Sequence, residues 1–363
     1  MLGDPEREPM LSNSKEIQGQ ESGPYSLWKD LVCPVCSCRL FPAVGSPNCL
    51  TCVGCSERFP IVNGIPRLLP KTASGSSDSS NGVADRDQTV QLKTAESFGF
   101  EWTHFSEMYS AWEINFRDYM FPHTVESFRG KKVLDAGCGI GRHAYYAARY
   151  GAEVWAVDIS DAVEVAAKNV SGTETRVIQA DLNHLPFPED SFDLVYSMGV
   201  LHHLSNPEGA FQYLLRFVKP GGEFRMFLYW APEHQLLKGL LLKAVSALRL
   251  VTTRMPHRVL YPLSYAAAFL VWAFFVWPHR ILTRIPIFSK IPDRIPLRQY
   301  SRYPFRTCVN DQFDRFSAPV ERRYTRTQVE QFLKSADLED LNVFPNFGWV
   351  GSGRKPVSAK EAA

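Results

Sequence analysis

Val133–Gly141 reads VLDAGCGIG, and the fold is decided there. Val133–Asp135 is a short apolar run of the kind that makes a buried strand, and it leads straight into Gly137-Cys138-Gly139-Ile140-Gly141. Glycines let the backbone turn sharply and approach a ligand without side-chain interference. From Arg142 the pattern is helical, so the free N–H groups and positive dipole end of that helix point back at the ligand. The order strand, glycine loop, helix predicts a nucleotide-type binding site.

Working outward, short apolar runs alternate with helical stretches. The runs are Val133–Asp135, Val154–Asp158, Thr175–Ala180, Leu194–Met198 and Glu223–Tyr229. This alternation predicts an open, mostly parallel α/β sheet wrapped by helices. Gly151 is placed to stop the first helix, and Asp161 with Glu164 gives the second an acidic first turn. Asn206-Pro207 opens the next helix, with Gly221-Gly222 expected to close it. Thr327 and Glu330 are expected to cap a last helix over Val329–Ala336. Two final strands are expected around Leu341–Phe344 and Trp349–Gly351.

The strand ends carry acids. VWAVD ends in Asp158, which can accept both ribose hydroxyls of an adenosine. QAD ends in Asp181, at the same sheet edge and within reach of an adenine amino group. Asp135, Asp158 and Asp181 thus end three successive strands. Arg142 stands where a dinucleotide fingerprint would want its third glycine, which turns the reading away from NAD.

VLDAGCGIGRHA, VWAVDIS and QADLNHLPFPEDSFDLVYSMGVLHHLSNPEGAFQYLLRFVKPGGEF together resemble the class I S-adenosylmethionine (SAM)-dependent methyltransferases. The subgroup they are most similar to is the type 11 methyltransferase domain, which includes the ubiquinone/menaquinone methyltransferases. The resemblance is strong over residues 131–229 and weak over 325–352. It implies a seven-stranded Rossmann-like sheet and SAM as cofactor. It places Asp135 and Gly137 at the methionine part of SAM, with Gly139 and Gly141 shaping the loop. It gives Asp158 the ribose, Ile159 a flank of the adenine, Asp181 and Leu182 the adenine edge, and Met198 the floor near the sulfonium. Methyl transfer from a sulfonium is an in-line displacement that needs no metal. Positioning alone can supply up to ~7–11 kcal/mol. Where the nucleophile must lose a proton, His202 and His203 are the candidate bases; the other reading is that the pair packs the next helix. Residues 91–128 look helical and aromatic, and Trp102, His104 and Tyr109 either line the SAM pocket or pack the helix on the sheet.

Six of eight cysteines fall within Cys33–Cys55. Cys33, Cys36, Cys52 and Cys55 have the C-x2-C-x15-C-x2-C spacing of a structural zinc site, with Cys38 and Cys49 as extra thiols. The segment through FPIVNGIPRLLP is similar to the small zinc ribbon that accompanies some tRNA and protein methyltransferases as a partner subunit. The opening MLGDPEREPM is polar and lacks an apolar run, so a secreted disulfide framework is not expected and a reducing, cytoplasmic setting is.

The expected organisation is a disordered tail (1–25), a zinc-ribbon-like module (26–70), a linker (71–90), a methyltransferase domain (91–230 with 307–355) and an apolar basic insertion (231–306). Between His234 and Arg306 stand twelve Lys/Arg against one acid, Asp293. Val259–Pro278 carries no charge. Its length could span a bilayer, but the last strands must return to the sheet. The insertion is therefore read either as a helical lid or as an element lying on an anionic membrane surface. The near-neutral net charge of +2 does not indicate nucleic acid. The leading expectation is a SAM-dependent methyltransferase with a small or lipid-linked acceptor. The alternatives are action on tRNA or protein through the ribbon, and a non-catalytic SAM-binding scaffold. No residue names the acceptor atom or the oligomeric state.

Overall fold

A computed structural model describes residues 27–70, 82–232, 236–285, 295 and 297–357. Four short strands come first: β1 (Leu40–Ala43), β2 (Ser46–Cys52), β3 (Arg58–Val62) and β4 (Ile65–Leu68). Seven follow: β5 (Lys132–Ala136), β6 (Glu153–Asp158), β7 (Thr175–Ala180), β8 (Phe192–Met198), β9 (Val218–Leu228), β10 (Glu339–Pro345) and β11 (Trp349–Arg354). The helices are α1 (Gly82–His104), α2 (Ala111–Met120), α3 (Arg142–Arg149), α4 (Ala162–Asn169), α5 (Pro207–Leu215), α6 (Leu236–Thr252), α7 (His257–Val271), α8 (Trp277–Leu282), α9 (Phe305–Ser317) and α10 (Arg326–Lys334).

The strand order is β1–β2–β3–β4–β7–β6–β5–β8–β9–β11–β10. From β7 to β9 every neighbour is parallel, and β11 inserts antiparallel between β9 and β10. The seven-stranded open α/β sheet expected from the sequence is present. β5 is central, and the chain reverses direction of travel on either side of it, which puts a crevice at the carboxyl ends of β5 and its neighbours. The central strands are buried on both faces, as parallel strands covered by helices must be: Val133, Leu134, Ala136, Val154, Trp155 and Val157 have no exposed surface.

The cysteine-rich segment does not stand apart from this sheet. β4 pairs in parallel with β7, Arg67 opposite Gln179 and Leu68 opposite Ala180, and so extends the sheet to eleven strands. Without β4, β7 would present an open row of N–H and C=O groups. Arg67 seals the join by donating to Glu164 of α4 and to Gln179. Trp28 packs edge-on against Trp155, and Leu31, Leu40 and Leu50 share one apolar core with Trp155 and Ile178. Each such side chain fully buried contributes ~1.5–3 kcal/mol.

Several local expectations change. The tail 1–25 and residues 71–81 lie outside the described residues, and α1 begins at Gly82, inside the expected linker. The cap of α10 is Thr325, not Thr327. Its hydroxyl accepts from the Gln328 N–H, and the Gln328 side chain returns the bond to the Thr325 N–H. Gly221-Gly222 lies within β9 rather than closing α5, because the chain is already extended from Val218. Asn206 caps α5 as expected, accepting from the Gly209 N–H. Within the insertion, α7 runs on through one π-helical turn, Trp272–Val276, into α8. Its inner face packs on α9 through Leu260, Ala268 and Val276 against Cys308, Val309 and Phe313.

Candidate active site

The glycine loop is held open by its own backbone. The N–H groups of Gly137 and Cys138 both donate to the Val157 carbonyl, pinning the loop to β6. Gly137 has φ +87°, and a Cβ there would meet Val200 at 2.4 Å, so no other residue fits. Gly141, at φ +76°, leads into α3 and lies against Ala166 and Val170 of the α4 region. Gly139 donates to Asp158, at 2.9 Å. The other Asp158 oxygen accepts from the N–H and hydroxyl of Ser160. Burial raises the Asp158 pKa despite these donors.

Asp135 is buried at the end of β5, and its Oδ2 has no hydrogen-bond partner. Burial, partly offset by Tyr196 and reinforced by Asp158, pushes its pKa up to about 7. A buried carboxylate oxygen left over at the end of a glycine loop is suited to a cationic group such as the ammonium of SAM. The glycine loop, which presents no side chain, and the orphaned acid together fit that ligand. Asp181 is buried at the end of β7 and accepts from Asn183 and His184. Burial works against its ionisation, but His184, Asn183 and Gln91 outweigh it and lower its pKa. Ile159 follows Asp158, and its carbonyl accepts from Gln179. Leu182 and Met198 are both buried, Met198 at the end of β8 beside β5. The structure therefore gathers the nine residues expected around SAM along the carboxyl edge of β7, β6, β5 and β8.

α1 covers this edge. Trp102 lies directly over Gly139, where a Cβ would come 3.1 Å from the indole nitrogen. The Arg142 guanidinium lies between the rings of Trp102 and Trp112, 5.5 and 4.5 Å from their centres. His104 faces elsewhere, stacked on Phe100. Beside Ile140 a narrow cleft of about 10 Å³, room for little more than a water molecule, lies between Trp102, Trp112, Arg306 and Asn310.

A buried polar cluster that the sequence did not reveal joins α1, α9 and the end of β9. Glu101 of α1 is 1% exposed, and its Oε2 has no partner. Burial, then Asp314 and Asp311 of α9, hold its pKa well above the carboxylate range. Desolvation pushes Asp311 up to about 6, against the pull of Tyr300 and Arg315. The Tyr229 hydroxyl, just past β9, donates to Asp314 at 2.8 Å. His202 is fully buried with its ring 3.9 Å from that of Tyr229. Burial, with His203 and Arg323, keeps its pKa well below the usual value, so the ring is neutral. His203 is differently employed: its Nδ1 is 2.7 Å from the Val320 carbonyl, and its ring meets the edge of Phe98. The two histidines expected together are adjacent, but only His202 keeps both ring nitrogens without a well-formed hydrogen bond. The acids of this cluster escaped notice because they come from α1 and α9, two hundred residues apart in sequence and without a shared motif.

The four cysteines converge as expected. The Sγ atoms of Cys33, Cys36, Cys52 and Cys55 all lie within 4.8 Å of one another. Cys33 to Cys55 is 3.6 Å and Cys36 to Cys52 is 3.3 Å. Zinc–sulfur bonds of about 2.3 Å would put tetrahedral sulfurs about 3.8 Å apart. Backbone N–H groups of Val35 and Gly54 already point at the sulfurs of Cys33 and Cys52. The donor set is all thiolate with no open place, which fits a structural ion. Cys38 lies beside Cys36 but outside the set, and the Cys49 thiol donates to the Leu50 carbonyl.

Comparison with known proteins agrees with this geometry. The family described as "Methyltransferase domain" matches residues 134–226. A sterol 24-C-methyltransferase of Gibberella zeae is 32% identical over 30% of this chain and 30% of its own length. Phosphoethanolamine N-methyltransferase of Plasmodium falciparum is 36% identical over 31% of this chain and 44% of its own. tRNA U34 carboxymethyltransferase of Idiomarina loihiensis is 26% identical over 59% of this chain and 69% of its own. The chain thus spans less than half the length of the first two relatives. Glycine loop, strand-end acids, strand order and matched segment converge: residues 134–226 are similar to the methyltransferase domain, and the sheet around them has the order that the resemblance to SAM-dependent methyltransferases led us to expect.

Proposed function

We propose that the chain transfers a methyl group from SAM to a small or lipid-linked acceptor held above the carboxyl ends of β5, β8 and β9. The observation that carries this reading is the buried polar cluster of Glu101, Asp314, Tyr229 and His202, next along α1 to the Trp102 that covers the glycine loop. SAM, when bound, supplies an electrophilic methyl on a sulfonium. The chain's own residues do the rest. Asp135 and the loop hold the methionine end, Asp158 the ribose, and Asp181 with Leu182 the adenine edge. Trp102 and α1 exclude water, which strengthens every charge interaction inside. The acceptor nucleophile attacks as the methyl–sulfur bond breaks, and any proton it loses passes to neutral His202. His203, anchored to the Val320 carbonyl, packs against that ring. The four cysteines hold a structural zinc ion, which cross-links the ribbon and takes no part in transfer.

His202→Gln is expected to lower kcat by ~10²-fold or more with SAM affinity unchanged, the loss typical of a removed general base. His203→Ala is expected to lower thermal stability first. Equal kcat losses for the two variants would refute the division of roles.

The reading is tested with methyl-labelled SAM offered to soluble, lipid and RNA extracts. Label is expected in the lipid or small-molecule fraction and at background with Asp158→Ala. Label in RNA alone would point instead to a tRNA substrate, such as the Idiomarina tRNA U34 carboxymethyltransferase is named for. SAM binding without transfer to any fraction would leave a scaffold.

A further inference from the structure

The outer face of the α7–α8 helix is an unbroken apolar stripe. Val259, Leu263, Leu270, Phe274, Trp277 and Ile281 are each 45–69% exposed. Their spacing of four, seven, four, three and four residues keeps them on one side of a continuous helix over His257–Leu282. At 1.5 Å per residue that helix is about 39 Å long. The inner side is the reverse: Leu260, Ser264, Ala268 and Val276 are buried against α9. A face so long and so apolar exceeds the scattered hydrophobic residues of an ordinary surface.

Charge around the stripe has one sign. Between residues 236 and 285 the chain has seven Lys/Arg and no Asp or Glu. Arg254 and Arg258 at the helix's start and Arg284 just past its end are exposed, as is Lys243 of α6. α6, leading into this helix, exposes Leu240, Leu241, Leu248 and Val251 as well. Stacking two copies of such a face would bring cation against cation. An anionic lipid surface offers hydrocarbon to the stripe and phosphate to the arginines.

We propose that α6 and the α7–α8 helix form a docking surface for anionic phospholipid bilayers, the helix lying in the plane of the membrane with its stripe inserted. It does not cross the bilayer. Its inner face belongs to the protein core, and the chain returns from it to β10 and β11 of the same sheet. α9, on which the helix rests, carries Asp311 and Asp314 of the polar cluster. Docking therefore places the helix that covers the polar cluster at the membrane surface. The docking surface itself stands independently of the methyltransferase reading.

The test is flotation of the intact protein with two vesicle types: phosphatidylcholine alone, and phosphatidylcholine with phosphatidylglycerol. The protein is expected to float with the second, to remain behind with the first, and to be released from the second as salt approaches about 0.5 M. L270E/F274E is expected to lose flotation while keeping its helical circular dichroism and its SAM affinity, since both side chains project from the surface. Failure of the intact protein to float with anionic vesicles would overturn the proposal. So would a stable dimer that L270E/F274E dissociates, which would assign the stripe to a second copy. SAM titration of the same samples separates failure of docking from failure of the methyltransferase reading.

Discussion

Cys52→Ser is expected to unfold the whole chain at a lower temperature, in one transition, rather than to melt the ribbon alone. The physical reason is that Cys52 and Cys33 are buried in the same apolar core as Leu134, Trp155 and Ile178. The small β1–β4 unit has too little core to stand without a cross-link. Loss of a structural metal belongs to the mechanisms that cost more than about 4 kcal/mol. At ~2–4 °C per kcal/mol the melting temperature should fall by roughly 8–16 °C. A chelator should reproduce the effect, and Cys49→Ser, outside the cluster, should not. Two separated transitions in calorimetry, or a melting temperature indifferent to Cys52, would show that β4's pairing with β7 does not couple ribbon and sheet.

Asp135→Asn is expected to weaken SAM binding at pH 8 by ~10–100-fold, the worth of a charge-assisted hydrogen bond. It is also expected to abolish the pH dependence of binding. The folded pKa of Asp135 is about 7 against an ordinary 3.8. A cationic ligand prefers the ionised form, so affinity in the unsubstituted protein should rise about tenfold between pH 6 and pH 8. For the ligand-free fold the sign is opposite. Because the folded pKa lies above the unfolded one, the stability linked to this group is full below about pH 4 and declines as pH rises to 7. Titration calorimetry across pH on both proteins checks this. An equal pH dependence in Asp135→Asn would place the titrating group elsewhere, at Glu101 or Asp311.

The glycine loop and the strand-end acids were legible because their roles are local. Gly137 and Gly141 are required by backbone conformation within a few residues, and Asp158 reaches the loop one strand away. The cysteine cluster was legible for the same reason, each pair being a local knuckle. What the sequence hid depends on distant partners. Nothing around Leu68 says that it will pair with Ala180, because strand addition is written in hydrogen bonds that any sequence can make. Glu101 reads as one charge in an aromatic helix; it becomes notable only when α9 brings Asp311 and Asp314 beside it. The position of α10's cap shows a smaller limit. Thr325 and Thr327 each have a polar residue three positions on, and the entry of the chain from Tyr324, fixed by its bond to the Tyr229 carbonyl, selects the first.

The most direct test of the central claim is isothermal titration of the intact protein with SAM at pH 8. Binding of one SAM per chain in the micromolar range, about −8 kcal/mol, is expected, with Asp158→Ala showing no measurable heat. No binding by the unsubstituted protein, or equal binding by Asp158→Ala, would contradict the assignment of the Val133–Gly141 loop and its neighbouring acids to SAM.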